Sequence, residues 1–176
     1  YTTNLGELAF DGNNSYSVQD GGGSLNFANM AQIVNNSSVA QTFAGDVFAN
    51  GSQFTIDAGI TAGGSLMLSG PIDLSDTTGV QLKVTGSNDT TIAGDITGAG
   101  GSLVKNDTGN LTLTGTNTYT GATNINGGTL ETSGTGTLDN ATDVTVASGA
   151  NYIVGNADTI ATLTNNGTTT LNADLT

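Results

Sequence analysis

Residues 92–134, IAGDITGAGGSLVKNDTGNLTLTGTNTYTGATNINGGTLETSG, carry one phrase twice: an apolar residue, any residue and Gly, then a short polar run, a Gly-rich corner and Leu. Ile92-Ala93-Gly94 leads to Leu103, and Tyr119-Thr120-Gly121 leads to Leu130. Phe43-Ala44-Gly45 and Leu68-Ser69-Gly70 open in the same way, which puts the starts at 43, 68, 92 and 119, with spacings of 25, 24 and 27. A repeat of that size that is neither a helix pair nor a propeller blade predicts a β-solenoid, in which each coil buries its apolar side only by stacking on its neighbours.

Outward from this stretch the strands alternate. Phe54 and Ile56, Leu66 and Leu68, Val80, Leu82 and Val84, Leu111 and Leu113, and Val144 and Val146 are each separated by one residue, polar in every case but Met67. Period two buries one face of a strand and wets the other. The outward positions are mostly Thr, Ser, Asn and Gln, which pair in rows across stacked strands. Between the strands sit Asn50-Gly51, Gly63-Gly64, Gly100-Gly101, Asn126-Gly127, Ser133-Gly134, Ser148-Gly149 and Asn166-Gly167, dipeptides that supply corners. Asn-Gly is also a hairpin signal, so an antiparallel β-sandwich or jelly roll is the rival to the parallel β-helix.

Composition agrees with an all-β chain. Of 176 residues 35% are hydrophobic but only 5% aromatic, so Val, Ile, Leu and Ala must fill a narrow interior; 27 Gly against a single Pro suit many tight turns. Two lysines, Lys83 and Lys105, face 15 acidic residues, for a formal net charge of -13. Such a surface repels phosphate, which argues against nucleic acid and anionic membranes as partners. There is no cysteine, hence no disulfide or thiolate metal site, and no apolar run of the ~18 residues that a membrane helix needs, so this segment is not expected to insert in a membrane. With no initiator Met and no signal peptide at Tyr1, the chain is expected to be a processed protein or an excised piece.

The repeat is weakest before Phe43, where Leu5–Phe10 and Ser15–Val18 are strand-like and Asp11-Gly12 and Asp20-Gly21 mark turns. Phe27, Met30, Ala31 and Val34 also fall at helical spacing, so a short helix competes with a strand there. The expected organisation is one solenoid domain over 1–176, with 1–42 an atypical cap or first coils and 43–176 repeat coils of about 20–27 residues. At the other end no polar capping segment follows Tyr152–Leu175, leaving a strand edge that invites another strand.

The residues Gly101, Leu103, Lys105, Gly109, Leu111, Leu113, Gly115, Asn117, Tyr119, Gly121, Thr123, Ile125, Gly128 and Leu130 match, in register, the phrase of the autotransporter-associated β-strand repeat, which the segment Gly98–Leu130 closely resembles. The resemblance implies a right-handed parallel β-helix from the exported passenger of a large bacterial surface protein, extracellular or on the cell surface, with an adhesive or structural role. The family continues into a membrane barrel of amphipathic strands, and no such strands are read here. Each recurrent residue has a structural role to fill. Leu111, Leu113, Ile125 and Leu130 would point into the bore, Gly94, Gly115, Gly121 and Gly128 would turn corners, and Asn117 would bond the adjacent coil.

Chemistry has few footholds. Without histidine there is no Ser-His-Asp or Cys-His constellation and no zinc site. Ser102-Leu103-Val104-Lys105 has the SxxK form, but neither the helix nor the KTG that accompanies it. Asp73 with Asp76 and Asp139 with Asp143 are the carboxylate pairs that a polysaccharide-cleaving β-helix would need, and both also read as turn residues. Calcium is the cofactor to weigh: Asn88-Asp89-Thr90 and Asn106-Asp107-Thr108 recur 18 residues apart and could face each other on successive coils, with Asp73 and Asp76 as further candidates. No catalytic residue is assigned.

The expectation is therefore a non-catalytic structural or adhesive rod acting in adhesion or biofilm scaffolding. Its partners would be a host or matrix surface and other copies of itself, end to end or side by side, the former giving a filament. A polysaccharide-active enzyme and a calcium-dependent carbohydrate-binding module are the alternatives.

Overall fold

A computed structural model describes residues 4–12, 14, 17–18, 24–60, 64–76 and 79–176. The strands are β1 (Asn4–Phe10), β2 (Ser17–Val18), β3 (Ser24–Asn35), β4 (Gln41–Phe43), β5 (Asp46–Ala49), β6 (Gln53–Asp57) and β7 (Leu66–Leu68). They continue as β8 (Ile72–Asp73), β9 (Gln81–Thr85), β10 (Thr90–Ile92), β11 (Ile96–Thr97), β12 (Ser102–Lys105) and β13 (Asn110–Leu113). The last are β14 (Thr123–Ile125), β15 (Thr129–Thr132), β16 (Asp143–Val146), β17 (Asn151–Val154), β18 (Thr162–Asn165) and β19 (Thr168–Leu171).

Every pairing among them is parallel, and within the stack strands lie on those of the previous coil and under those of the next. The chain is a right-handed parallel β-helix of about seven turns, not a sandwich or jelly roll. The Asn-Gly dipeptides turn corners between walls and do not close hairpins. Parallel pairing begins at β1, so residues before 43 take part in the same stack.

The column has three walls. Two of them share the long β3, whose first part, Ser24–Phe27, pairs with β5 and whose second part, Ala31–Val34, pairs with β6. Between the two parts Met30 takes a left-handed φ of 63° and points outward, and the strand bends there with Phe27 and Ala31 buried on either side. The four-residue spacing that looked helical in the sequence is thus the signature of a corner within a strand. The third wall runs β2-β4-β7-β10-β13-β15-β17-β19.

Register also corrects the repeat. On the third wall Phe43 pairs with Leu68 and Leu68 with Ile92, as the phrase predicts, but Ile92 pairs with Leu113 and not with Tyr119. The coil shortens from 25 and 24 residues to 21 at that step, so Tyr119 falls on the next wall, fully buried in the bore. The apolar-x-Gly wording was kept while the geometry moved by one corner.

Inward columns fill the bore. Phe43, Leu68, Ile92 and Leu113 stack on the third wall, and Phe54, Leu82, Leu103, Thr123 and Val144 on the second, all between 0 and 2% exposed. Rings are concentrated where the coils are longest: Phe27 and Phe54 meet with centroids 4.9 Å apart. At ~25 cal/mol per Å² of apolar surface removed from water, these columns supply the stacking energy that no single coil has by itself.

Candidate functional site

The corner after β12 is where the sequence placed calcium. Here the coil is 21 residues long, since Val84 pairs with Lys105 and Thr90 with Leu111, so carboxylates 18 residues apart do not oppose each other. Asp107 instead receives the N–H of Gly86 at 3.2 Å, and Asp89 that of Asn110 at 3.3 Å. The group at the centre of the corner is Lys105. Strand alternation turns it inward with Leu103, and its ammonium donates to the carbonyl oxygens of Asn106, Asp107 (3.2 Å) and Gly127 (3.4 Å). Burial pulls the Lys105 amine down to about 8, against the pull of the Asp107 and Asp89 charges in the other direction. Ser102 faces outward on the same strand, so the SxxK tetrapeptide brings no serine to the lysine.

The other candidate carboxylates are also committed to neighbouring groups. Asp73 accepts the Ser75 N–H at 2.8 Å and Asp76 reaches back one coil to the Gly51 N–H at 2.7 Å, at the side of a shallow depression lined by Phe48, Asn50 and Ser75. Asp139 accepts from the Ala141 N–H and Asp143 from the Thr162 hydroxyl. Asp73 and Asp139 are thus corner caps of the Asx type, while Asp76 and Asp143 bond across coils. Among the described residues no three His, Cys, Asp or Glu side chains cluster as metal ligands.

The repeat residues make the scaffold. Leu103, Leu111, Leu113, Ile125 and Leu130 are all fully buried. Gly45, Gly70, Gly94 and Gly115 stack at one corner so tightly that a Cβ on any of the last three would press on the carbonyl of the glycine beneath; at Gly115 that distance is 2.6 Å. Gly121 sits on Gly101 in the same way. Gly128 has a φ of 63°, and a Cβ there would come 3.0 Å from the Lys105 ammonium. Asn117 points inward, 2% exposed; its Oδ1 accepts the Ile96 N–H at 3.1 Å and its Nδ2 donates to the Thr137 carbonyl at 2.7 Å, tying three coils together.

Asp158 repeats this arrangement further along the column and was not singled out in the sequence. Its carboxylate accepts the Leu138 and Thr159 N–H groups, both at 2.9 Å, in a site that is 7% exposed. Burial raises its pKa, an effect only partly offset by those two bonds. Burial likewise raises the pKa of Tyr119, whose hydroxyl meets Thr123 Oγ1 at 2.7 Å, and of Tyr152, which lies near the Asp158 charge.

What remains free is the outside. On the second wall the outward column runs Thr55, Lys83, Val104, Asn124, Thr145, Thr164, one residue per rung at about 4.8 Å. Of the described aromatic residues only Phe48 is exposed, the others being spent in the bore. At the last coil β18 and β19 each pair on one side only, and Leu163, Leu171 and Leu175 border an open apolar concavity.

Fold and corners together define a parallel β-solenoid, a stack of strand repeats held by inward aliphatic columns and glycine corners. Residues 103–132 match the family model of the passenger-associated-transport-repeat, so the autotransporter passenger β-repeat read from the sequence holds. Over 134 residues, 74% of this chain, the sequence is 35% identical to an adhesin, the BmaC autotransporter of Brucella suis biovar 1 (strain 1330). The chain spans 4% of the length of that relative. No solved structure matches it.

Proposed function

We propose that this solenoid is a non-catalytic, rigid acidic rod of a bacterial surface adhesin, exposed outside the cell, that contacts a host or matrix surface through its flanks. The observation that carries this reading is the outward column of the second wall, where Asn124, Thr145 and Thr164 hold amide and hydroxyl groups on three successive rungs of a filled column, in a chain similar to an adhesin. A flank of that kind binds through many weak, repeated contacts, whose sum rises with the number of coils engaged. Beads coated with the purified chain should adhere to host cells or to matrix-coated plates, and replacing Asn124, Thr145 and Thr164 by Ala should reduce adhesion without moving the melting temperature. Adhesion no better than that of beads carrying an unrelated acidic protein would remove the reading.

A second role, filament growth or biofilm scaffolding by contact between copies of the chain, is favoured by the exposed apolar side chains of Phe48 and Met67 on the flanks of the column. Electron microscopy at rising protein concentration tests it: fibres that lengthen with concentration are expected, and discrete short rods at every concentration refute it.

A further inference from the structure

Lys105 is the anomaly of the bore. Its column on the second wall reads Ile33, Ile56, Val84, Lys105, Ile125, Val146, and the lysine is 1% exposed between Val84 and Ile125. The side chain does not escape to solvent. It ends under the corner, where carbonyl oxygens of its own coil (Asn106, Asp107) and of the next (Gly127) converge on the ammonium.

The corner is shaped around that charge. Asp107 is one of two described non-glycine residues with positive φ, at 58°, a conformation that costs a residue with a Cβ roughly 1 kcal/mol or more. In that conformation its carbonyl bonds the ammonium while its carboxylate bonds Gly86 on the preceding coil. Across from it Gly128 is left-handed at 63°, and a side chain there would collide with the Asp107 and Gly109 carbonyls as well as with the ammonium. Converging backbone carbonyls flanked by two carboxylates, Asp107 and Asp89, are the donor set that hard cations such as calcium take. Burial disfavours the charged form of the amine and outweighs the field of both carboxylates, Asp107 and Asp89, which acts in its favour.

We propose that this corner is a hard-cation site whose cation is supplied by the chain itself: the tethered Lys105 ammonium stands where a calcium ion would, so the corner needs no metal while the lysine is intact. The oxygen cage is the part that the sequence pattern Asn-Asp-Thr suggested; the occupant is the part that it did not.

Truncation exposes the cage. In Lys105→Ser the ammonium and its stem are gone while the three carbonyls and both aspartates remain, and calcium at millimolar concentration should raise the melting temperature by about 5 °C over the same variant in chelator. Lys105→Met, which fills the stem without a charge, should show no such rise. The wild type should show none that Asp107→Asn removes. A Lys105→Ser variant indifferent to calcium overturns the proposal, as does a wild-type calcium response that Asp107→Asn abolishes. Should the serine variant fail to fold, the wild type still decides. The chain has two lysines, so ¹⁵N-lysine NMR gives two ammonium signals to compare. Slow proton exchange at Lys105, unchanged by calcium, with fast exchange at Lys83 supports the proposal, and equal exchange at both refutes it.

Discussion

Gly115→Ala tests whether the glycine corner sets the stacking distance. A Cβ at this position would lie 2.6 Å from the Gly94 carbonyl oxygen and 2.7 Å from Asp95 Oδ1, where contacts below 3.0 Å are essentially never seen. Relief requires the coils to part by roughly 0.5 Å at that corner and Asp95 to swing away. The first movement stretches the bond from the Thr114 N–H to the Ile92 carbonyl, already 3.1 Å, beyond useful range. The second frees the Thr116 N–H, now 2.7 Å from Asp95. Two hydrogen bonds at about 1 kcal/mol each and about 1 kcal/mol of residual crowding give a loss of about 3 kcal/mol. Urea unfolding followed by circular dichroism should therefore show a midpoint lower by about 1–2 M. Gly149→Ala is the control. Gly149 has a φ of 85° but open space around its Cβ, so alanine there meets only backbone strain of about 1 kcal/mol. If Gly115→Ala lowers the midpoint no more than Gly149→Ala does, crowding between coils is not what the corner glycines prevent, and the account of the corner fails.

Leu111→Ala empties a fully buried position between Thr90 and Leu130 and should cost about 2–5 kcal/mol, while the outward neighbour Thr112→Ala should stay within about 0.5 kcal/mol in the same urea titration. Asp158→Asn keeps an acceptor for the Leu138 N–H but gives up the one for the Thr159 N–H, so the lost bond opposes the relief of a charge that burial disfavours and the net change at neutral pH should stay within about 1 kcal/mol; a loss above about 2 kcal/mol would contradict the placement of Asp158 as a second Asn117. In the wild type the raised pKa of Asp158 means that the folded state binds the proton more tightly, so its contribution to stability is greatest below 3.8 and declines as pH rises through the folded value, a slope that Asp158→Asn should flatten. Lys105 acts in the opposite sense: with an amine at about 8 when folded and 10.5 when unfolded, unfolding takes up a proton and stability should rise between those values, a gain that Lys105→Met abolishes and that tyrosine ionisation in the unfolded chain cuts short from about 10.

Inward residues were legible because the bore constrains them strictly. Phe43, Leu68 and Ile92 keep both their type and their distance from a corner glycine, so the sequence spacing and the register coincide. Legibility failed where a corner changed length. Between Ile92 and Leu113 the coil is several residues shorter than the spacing from Ile92 to Tyr119, and the sequence offers the same wording twice, since Leu113-Thr114-Gly115 holds the register position while Tyr119-Thr120-Gly121 is itself a buried residue before a crowded glycine, on another wall. Lys105 was hidden for a different reason. Lysine normally reads as an outward residue, and only its two-residue offset from Leu103 on the same strand reveals that it points inward. Asp158 was hidden because carboxylate and amide differ in charge but share the acceptor that the position uses. The outward columns were least legible of all: the fold asks of Asn124, Thr145 and Thr164 only that they tolerate a strand, so it leaves their identity open.

The same corners account for much of the charge. Where a coil turns from wall to wall its N–H groups leave the ladder and need an acceptor, and a short carboxylate on the next residue or the next coil provides one. At least eight of the 15 acidic residues, Asp57, Asp73, Asp76, Asp89, Asp95, Asp107, Asp139 and Asp158, accept a backbone N–H in this way. Lysine and arginine carry no acceptor and cannot take that place. The one inward lysine stands where carbonyls, and not N–H groups, converge. The excess of acid over base therefore follows in large part from which backbone groups the corners expose, and a net charge of -13 is weaker evidence for a cationic ligand than it first looks. Affinity for a surface has to be sought in the outward rungs, which the corners leave unoccupied.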